Sequence, residues 1–309
     1  MNMTEAMHLT TQGLRGTVRK DVDMSRYTSW RAGGHVQQMY QPADVADLCV
    51  FLRALPTTEL LLAVGLGSNL LVRDGGLQGT VLLLHAALNE LRQEDDGTIY
   101  AQAGVPGAKL ARFAAKQDLR GAEFFAGIPG TVGGMLTMNA GCYGSETWGV
   151  VERVQTVDRA GGMHVRMPAE YEIGYRHLQK KENENASAAE IFAGAWFRLE
   201  KGNGEEARKD IKALLSKRIA SQPLSLPNAG SVFRNPPGDH AARLIEASGM
   251  KGKMTGGAQV SEKHANFIVN VGDATAADIE ALIYEVQAEV KRKTGIALQP
   301  EVRIVGNSL

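Results

Sequence analysis

The span GIPGTVGGMLTMNAGCYGS, residues 127–145, holds six glycines and a proline and shows little helical or strand periodicity. Glycine lowers both helix and strand propensity, so a stretch this rich in it is read as turns or as backbone brought close to another group. Taken alone it is either a loop packed under a sheet or a loop laid against a ligand. A second glycine run, LLLAVGLGSNLLVRDGG at 60–76, favours the ligand. There a short apolar strand drops into Gly65 and Gly67 as a dinucleotide loop does, but Leu70 stands where Gly-x-Gly-x-x-Gly wants its third glycine. Two such loops suit one extended ligand touched in two places, their exposed N–H groups forming an anion nest for a diphosphate.

The remaining pattern is mixed. A helix is expected at 44–55, a buried strand at 60–64, further strands at 80–84 and 98–103, and a short helix at 109–117. The acidic EDDG at 94–97 reads as a solvated hairpin turn, because no ligand-spaced His or third carboxylate follows it; no metal site is expected. Past the polar tract KENENASAAE and the strand IFAGAWFRLE, Ile211, Leu214, Leu215 and Ile219 mark a helix at 205–221 that links one domain to the next. Ile279, Leu282, Ile283, Val286 and Val290 mark another at 278–293, ended by Gly295.

A length of 309 residues exceeds one ordinary core. Thirty-four basic and 34 acidic side chains cancel, so no global field draws nucleic acid or an anionic membrane. The apolar runs are too short to span a bilayer, and MNMTEAMHLTTQ lacks the apolar core of a secretory signal, so a cytoplasmic protein is expected. Two cysteines make neither a disulfide framework nor a zinc spacing; Cys49, in register with Val45, Leu48 and Leu52, reads as core.

Between them TSWRAGG (28–34), GLGSNLLVRDGG, AGIPGTVGGMLTMNAGCYG, Tyr175-Arg176, NAGSVFRNP (228–236), GGAQVSEKHANFIVN (256–270) and LQPEVRIVG (298–306) run in the order seen in the UDP-N-acetylenolpyruvoylglucosamine reductases, also called UDP-N-acetylmuramate dehydrogenases. The chain resembles that family from about residue 25 to 306, and looks like its shorter subtype, without the inserted segment that carries a substrate-covering Tyr. The resemblance implies an α+β chain. A two-lobed FAD-binding domain of the vanillyl-alcohol-oxidase type would occupy 1–205, with lobes at about 20–76 and 77–205, and a smaller α+β substrate-binding domain 206–309.

It further implies non-covalent FAD, NADPH as hydride donor, UDP-N-acetylglucosamine enolpyruvate as substrate and a ping-pong cycle in one pocket, with no nucleic acid, membrane or obligatory protein partner. FAD contacts carry over to Gly33, then to Gly65, Gly67, Ser68 and Asn69. On the second loop they carry over to Gly127, Ile128, Pro129, Gly130, Gly133, Gly134, Asn139 and Gly141. Arg176 aligns with the family's catalytic arginine, Ser231 with its serine proton donor and Glu301 with its active-site glutamate, while Tyr175, Arg234 and Asn235 fall at substrate positions.

The chemistry agrees with these residue types. Hydride delivered to the terminal alkene carbon pushes charge into the adjoining carboxylate, and a planar, always-charged guanidinium suits an enediolate. A serine hydroxyl gives up a proton only to a strong base, with neighbours such as Arg234 to steady the alkoxide. Taken singly, Arg176 would be an ordinary ion-pairing arginine, Ser231 a turn hydroxyl and Glu301 an exposed acid.

Two positions depart from the family pattern. The family writes Tyr-Arg-x-Ser where this chain has Tyr175-Arg176-His177-Leu178, so either Leu178 replaces the serine or two residues are lost before LQKK, which bears on the support of Arg176. His35 follows Arg31-Ala32-Gly33-Gly34, as in related oxidases that attach flavin covalently; here it reads as a polar strand residue. An oxidase with FAD on His35 and a silent UDP-sugar binder are the competing readings.

Overall fold

The computed structural model describes residues 13–181 and 190–309, so the segment judged to lack a signal sequence and most of KENENASAAE lie outside the described residues. The chain builds three sheet-centred units in which helix and sheet are mixed, as expected. The first is a four-stranded sheet in the order Thr17–Asp23, His35–Gln41, Leu77–Leu83, Leu61–Val64. Its first pair is antiparallel and the others are parallel. The helix Val45–Ala54, expected at 44–55, supplies the crossover; Asp44 caps it by accepting the Asp47 N–H. Cys49 is buried in its core with Leu48 and Leu52.

The second unit is a five-stranded antiparallel sheet ordered Met163–Arg166, Val151–Val157, Ile191–Phe197, Ile99–Gln102, Leu91–Gln93. EDDG forms its hairpin turn, with Gly97 at φ +83° donating to the Glu94 carbonyl. The helix Gly107–Lys116 covers this lobe, and so does Gly204–Ser221, which buries Ala207 and Ile211 among Leu110, Phe125 and Phe197. Each fully buried large apolar side chain contributes about 1.5–3 kcal/mol, so this contact fixes the helix to the second lobe rather than leaving it as a link. The expected division at 205/206 falls inside this helix, after its second residue. The lobe limit at 76/77 also moves, because Leu77–Leu83 lies inside the first sheet.

The third unit stacks the helices Ala241–Ala247 and Ala276–Thr294 on a three-stranded antiparallel sheet, Met254–Thr255, Ala258–Val260 and Ile268–Asn270. Ile279, Leu282, Ile283, Val286 and Val290 are all buried, and Gly295 closes the long helix at φ +75° by donating to the Lys291 carbonyl. The unit does not stand apart. Trp30 and Leu71 of the first lobe complete its core, and its last strand, Arg303–Val305, pairs in parallel with Leu70–Val72.

The glycine-rich span contains a helix that its periodicity did not announce, Val132–Thr137. Val132, Met135 and Leu136 form one apolar face, too short to register in a sequence window but buried against the second lobe.

Candidate active site

A cavity of about 980 Å³ opens where the three units meet. Gly65, Gly67, Ser68 and Asn69 line it from one side, and Gly127, Ile128, Pro129, Gly130, Gly133, Gly134 and Gly141 from the other. The two glycine loops touch. A Cβ on Gly65 would fall 2.2 Å from Thr131 Oγ1, and one on Gly67, at φ +62°, would fall 1.9 Å from the Tyr27 carbonyl oxygen. On the cavity side there is room: a Cβ on Gly130 or Gly134 would meet nothing closer than 3.7 Å. A long cleft walled by backbone fits a dinucleotide such as FAD, whose diphosphate wants N–H groups at close range.

The opposite wall carries charge. Strands Tyr171–Gly174 and His177–Lys180 form a hairpin with Tyr175 and Arg176 at its tip, and Arg176 takes φ +51°. A left-handed arginine costs on the order of 1–3 kcal/mol and persists only where its surroundings hold it. Here the Asn139 and Gly141 carbonyls accept from Nη1 and Nη2 at 3.4 and 3.1 Å, and Glu301 Oε1 lies 2.6 Å from Nε. Leu178 packs against the second lobe's core. The Nε hydrogen is poorly aligned on Glu301 and meets no other acceptor among the described residues. Burial pushes the Glu301 carboxyl above its ordinary range, outweighing the opposing pull of Arg176 and Arg234.

Ser231 lines the same cavity. Its position is set by the turn before it, where Gly230 takes φ +74° and donates to Asn228 Oδ1 at 3.0 Å. Asn266 then clamps the residues that follow, accepting from Phe233 N through Oδ1 and donating through Nδ2 to the Phe233 carbonyl. Glu301 is brought alongside by its own N–H, which donates to the Val232 carbonyl at 2.7 Å.

Five expected contacts fall outside the cavity lining. Gly33, at φ +141°, packs its Cα against Val72. Asn139 is buried and its amide is spent within the protein, on Glu146, the Gly174 carbonyl and the Trp148 N–H, so only its carbonyl serves the site. Tyr175 lies outward, and Asn235 Oδ1 accepts the Ala241 N–H at the start of a helix. Arg234 is near enough to Glu301 to act on its charge, with its Nε buried and without a partner among the described residues. His35 is exposed and paired with Asp21 Oδ1 at 2.7 Å, away from the cavity, which removes the basis for covalent attachment there.

Four lining cations were missed: Lys180 and Lys181 at the hairpin's end, and Arg218 and Arg303. Arg218 is pushed below its ordinary pKa by burial, hydrogen bonds Gln222 and forms no ion pair among the described residues. Its signal was spacing, since 218 continues the apolar stripe of 211, 214 and 215. Arg303 stands two residues from Glu301, and its N–H donates to the Asn69 carbonyl. At the hairpin's base Glu190 meets Arg166, Lys180 and Thr156. Burial alone would raise its carboxyl, but these partners hold it at about 2.

Comparison with known proteins matches this arrangement. Residues 36–167 fit the FAD binding domain family model, and 222–305 fit that of the UDP-N-acetylenolpyruvoylglucosamine reductase C-terminal domain. The UDP-N-acetylenolpyruvoylglucosamine reductase of Nitrosomonas eutropha is 56% identical, over 97% of this chain and 92% of its own length. That of Thiobacillus denitrificans is 54% identical, over 99% and 97%. The crystal structure of the Thermus caldophilus reductase superposes with a TM-score of 0.78 at 30% identity, covering 94% of this chain and 99% of that one. The chain belongs to the UDP-N-acetylenolpyruvoylglucosamine reductase family.

Proposed function

We propose that Arg176, Ser231 and Glu301 carry the alkene half of the family reaction, and that the two glycine loops hold the flavin that feeds it. The enzyme reduces UDP-N-acetylglucosamine enolpyruvate to UDP-N-acetylmuramate, a step of peptidoglycan precursor synthesis, with FAD as cofactor and NADPH as hydride donor. One observation supports the residue assignment above others: Arg176 and Glu301, 125 positions apart, meet at 2.6 Å on the wall facing the glycine loops.

Held by the glycine loops at 65–69 and 127–141, FAD would supply the hydride-transfer chemistry between NADPH and the terminal alkene carbon. The protein's part is to manage the charge and the proton. Arg176 offers Nε to the substrate carboxylate as it takes up charge, from a cavity wall where water is scarce and the interaction is strong. Glu301, whose carboxyl burial biases toward the neutral form, hydrogen bonds the same group without repelling it. Ser231 Oγ–H delivers the proton to the α-carbon, completing addition of one hydride and one proton across the double bond. Arg176, Arg218 and Arg303 make the cavity cationic enough to steady the resulting alkoxide. Arg218 and Arg303, without carboxylate partners among the described residues, also suit the nucleotide phosphates.

On this reading the FAD-binding part runs through the helix Gly204–Ser221 and the substrate-binding part begins near residue 222. The reaction belongs in the cytoplasm, where both nucleotide reactants are found; no described helix is long and apolar enough to cross a membrane. Purified protein is expected to be yellow, to bleach on anaerobic addition of NADPH, and to regain colour with the enolpyruvyl sugar nucleotide. Colourless protein without FAD affinity would overturn the reading.

A further inference from the structure

The second half of the glycine motif, VRDGG, is absent from the cavity wall beyond Leu70, yet its side chains reach the C-terminal unit. Arg73 donates from Nε and Nη2 to the two carboxylate oxygens of Glu280, each at 2.8 Å, and from Nη1 to the Gly306 carbonyl at 3.0 Å. This is a bidentate pair on a mostly sheltered surface, with Glu280 13% exposed. Asp74 accepts the N–H groups of Ala276 and Ala277, at 3.0 and 2.8 Å, through separate oxygens. Thr275 already serves Asp278, so Asp74 satisfies two further N-terminal donors of the helix Ala276–Thr294 and meets its positive end with charge.

The same segment is stitched to the final strand. Asn69 Nδ2 donates to the Glu301 carbonyl at 3.1 Å, Asn69 O accepts the Arg303 N–H at 3.0 Å, and Asn307 N donates to Gly76 O at 2.8 Å. Gly306, at φ +88°, lies so close that a Cβ there would fall 2.5 Å from Gly76 O. One continuous segment thus lines the cofactor cleft at 65–69 and grips the unit bearing Glu301 at 73–76.

We infer that Arg73 and Asp74 are positioning residues for the reaction: they lock the long helix and last strand of the C-terminal unit onto the glycine loop, so that Glu301 is set against Arg176 by the segment that cradles FAD. The inference rests on the roles assigned above to Arg176 and Glu301. Arg176 belongs to a second-lobe hairpin and Glu301 to the C-terminal unit, so their separation depends on how that unit docks. Trp30 Nε1, donating to the Ile268 carbonyl at 2.8 Å, is an independent tether. Cutting the clamp therefore misplaces the unit without releasing it.

The test uses the FAD-loaded enzyme with Arg73→Ala, the shape-conserving Glu280→Gln, the charge-reversed double variant Arg73→Glu/Glu280→Arg, and Glu301→Gln in parallel. Flavin content and the rate of bleaching by NADPH are expected to stay within about twofold of wild type, because hydride uptake does not need the trio. Return of colour with the enolpyruvyl sugar nucleotide is expected to slow roughly 10- to 100-fold in the single variants, the scale of a small misplacement, and to recover largely in the double variant. If Arg73→Ala does not fold, Glu280→Gln and the double variant decide. Unchanged recolouring in the clamp variants while Glu301→Gln slows it overturns the inference alone. Equal slowing of both half-reactions, unrescued by charge reversal, also overturns it. Unchanged recolouring in Glu301→Gln overturns the role of Glu301, and the inference with it.

Discussion

The two walls of the cavity are built on opposite principles. One is made by leaving side chains out: Gly65 and Gly67 pack against Thr131 and Tyr27 so tightly that a methyl group has no place. The other is made by bringing side chains in, with Arg176 from a hairpin tip, Ser231 from a turn and Glu301 from the strand edge near the C-terminus. The first wall fails sterically and the second chemically. Substitutions on the glycine wall should change what is bound, and substitutions on the charged wall what is done with it.

The largest effect expected is from Arg176→Ala, which removes the developing charge's partner and should slow recolouring by the enolpyruvyl substrate by about 10²–10³-fold. Flavin content measured by absorbance should stay near stoichiometric; loss of the flavin would merge the two walls into one function. Gly67→Ala should do the reverse. Its methyl meets the Tyr27 carbonyl at a left-handed φ, and FAD affinity by fluorescence titration should fall roughly 100-fold, about 2.7 kcal/mol.

Glu190→Gln tests the hairpin's base. It leaves Arg166 and Lys180 without their shared anion and should lower stability by about 3 kcal/mol in urea unfolding at pH 7. Because Glu190 is held well below its ordinary value, that contribution is present above the unfolded carboxyl's pKa of about 4.3 and is lost as pH falls toward 2. Glu301 has the opposite sign. Burial raises its pKa, so its folded form holds the proton more tightly, and its contribution is present at acid pH and lost as pH rises through the folded value. Relative to wild type, Glu301→Gln should therefore gain stability as pH increases. Gly134→Ala should change least in the protein alone, since the nearest atom to its Cβ is 3.9 Å away. A drop in FAD affinity with unchanged melting temperature would show that the open side of the glycine wall is where the cofactor lies.

The contrast also explains what the sequence could reveal. Glycines announce backbone approach by themselves, so both loops, and their partnership, were readable from residue type and spacing. The long helices, Cys49 in the core and the EDDG turn were readable from periodicity and turn chemistry in the same way. The charged wall was not: Arg176, Ser231 and Glu301 are ordinary residues in isolation and became visible only through the order of motifs. In the protein alone the side chain of Asn139 donates to the Gly174 carbonyl and that of Asn235 accepts the Ala241 N–H, partners that motif order did not reveal. Arg218 shows a signal passed over, a cation on an apolar helical stripe. The packing of Gly204–Ser221 on the second lobe, rather than as a free link, is not encoded in a local window.

Stopped-flow separation of the two half-reactions in Ser231→Ala tests the division of labour most directly. Bleaching by NADPH should match wild type, while recolouring by UDP-N-acetylglucosamine enolpyruvate should slow by about 10²-fold, within the range of a lost general acid. Equal loss in both half-reactions, or recolouring at the wild-type rate, would contradict the assignment of proton delivery to Ser231.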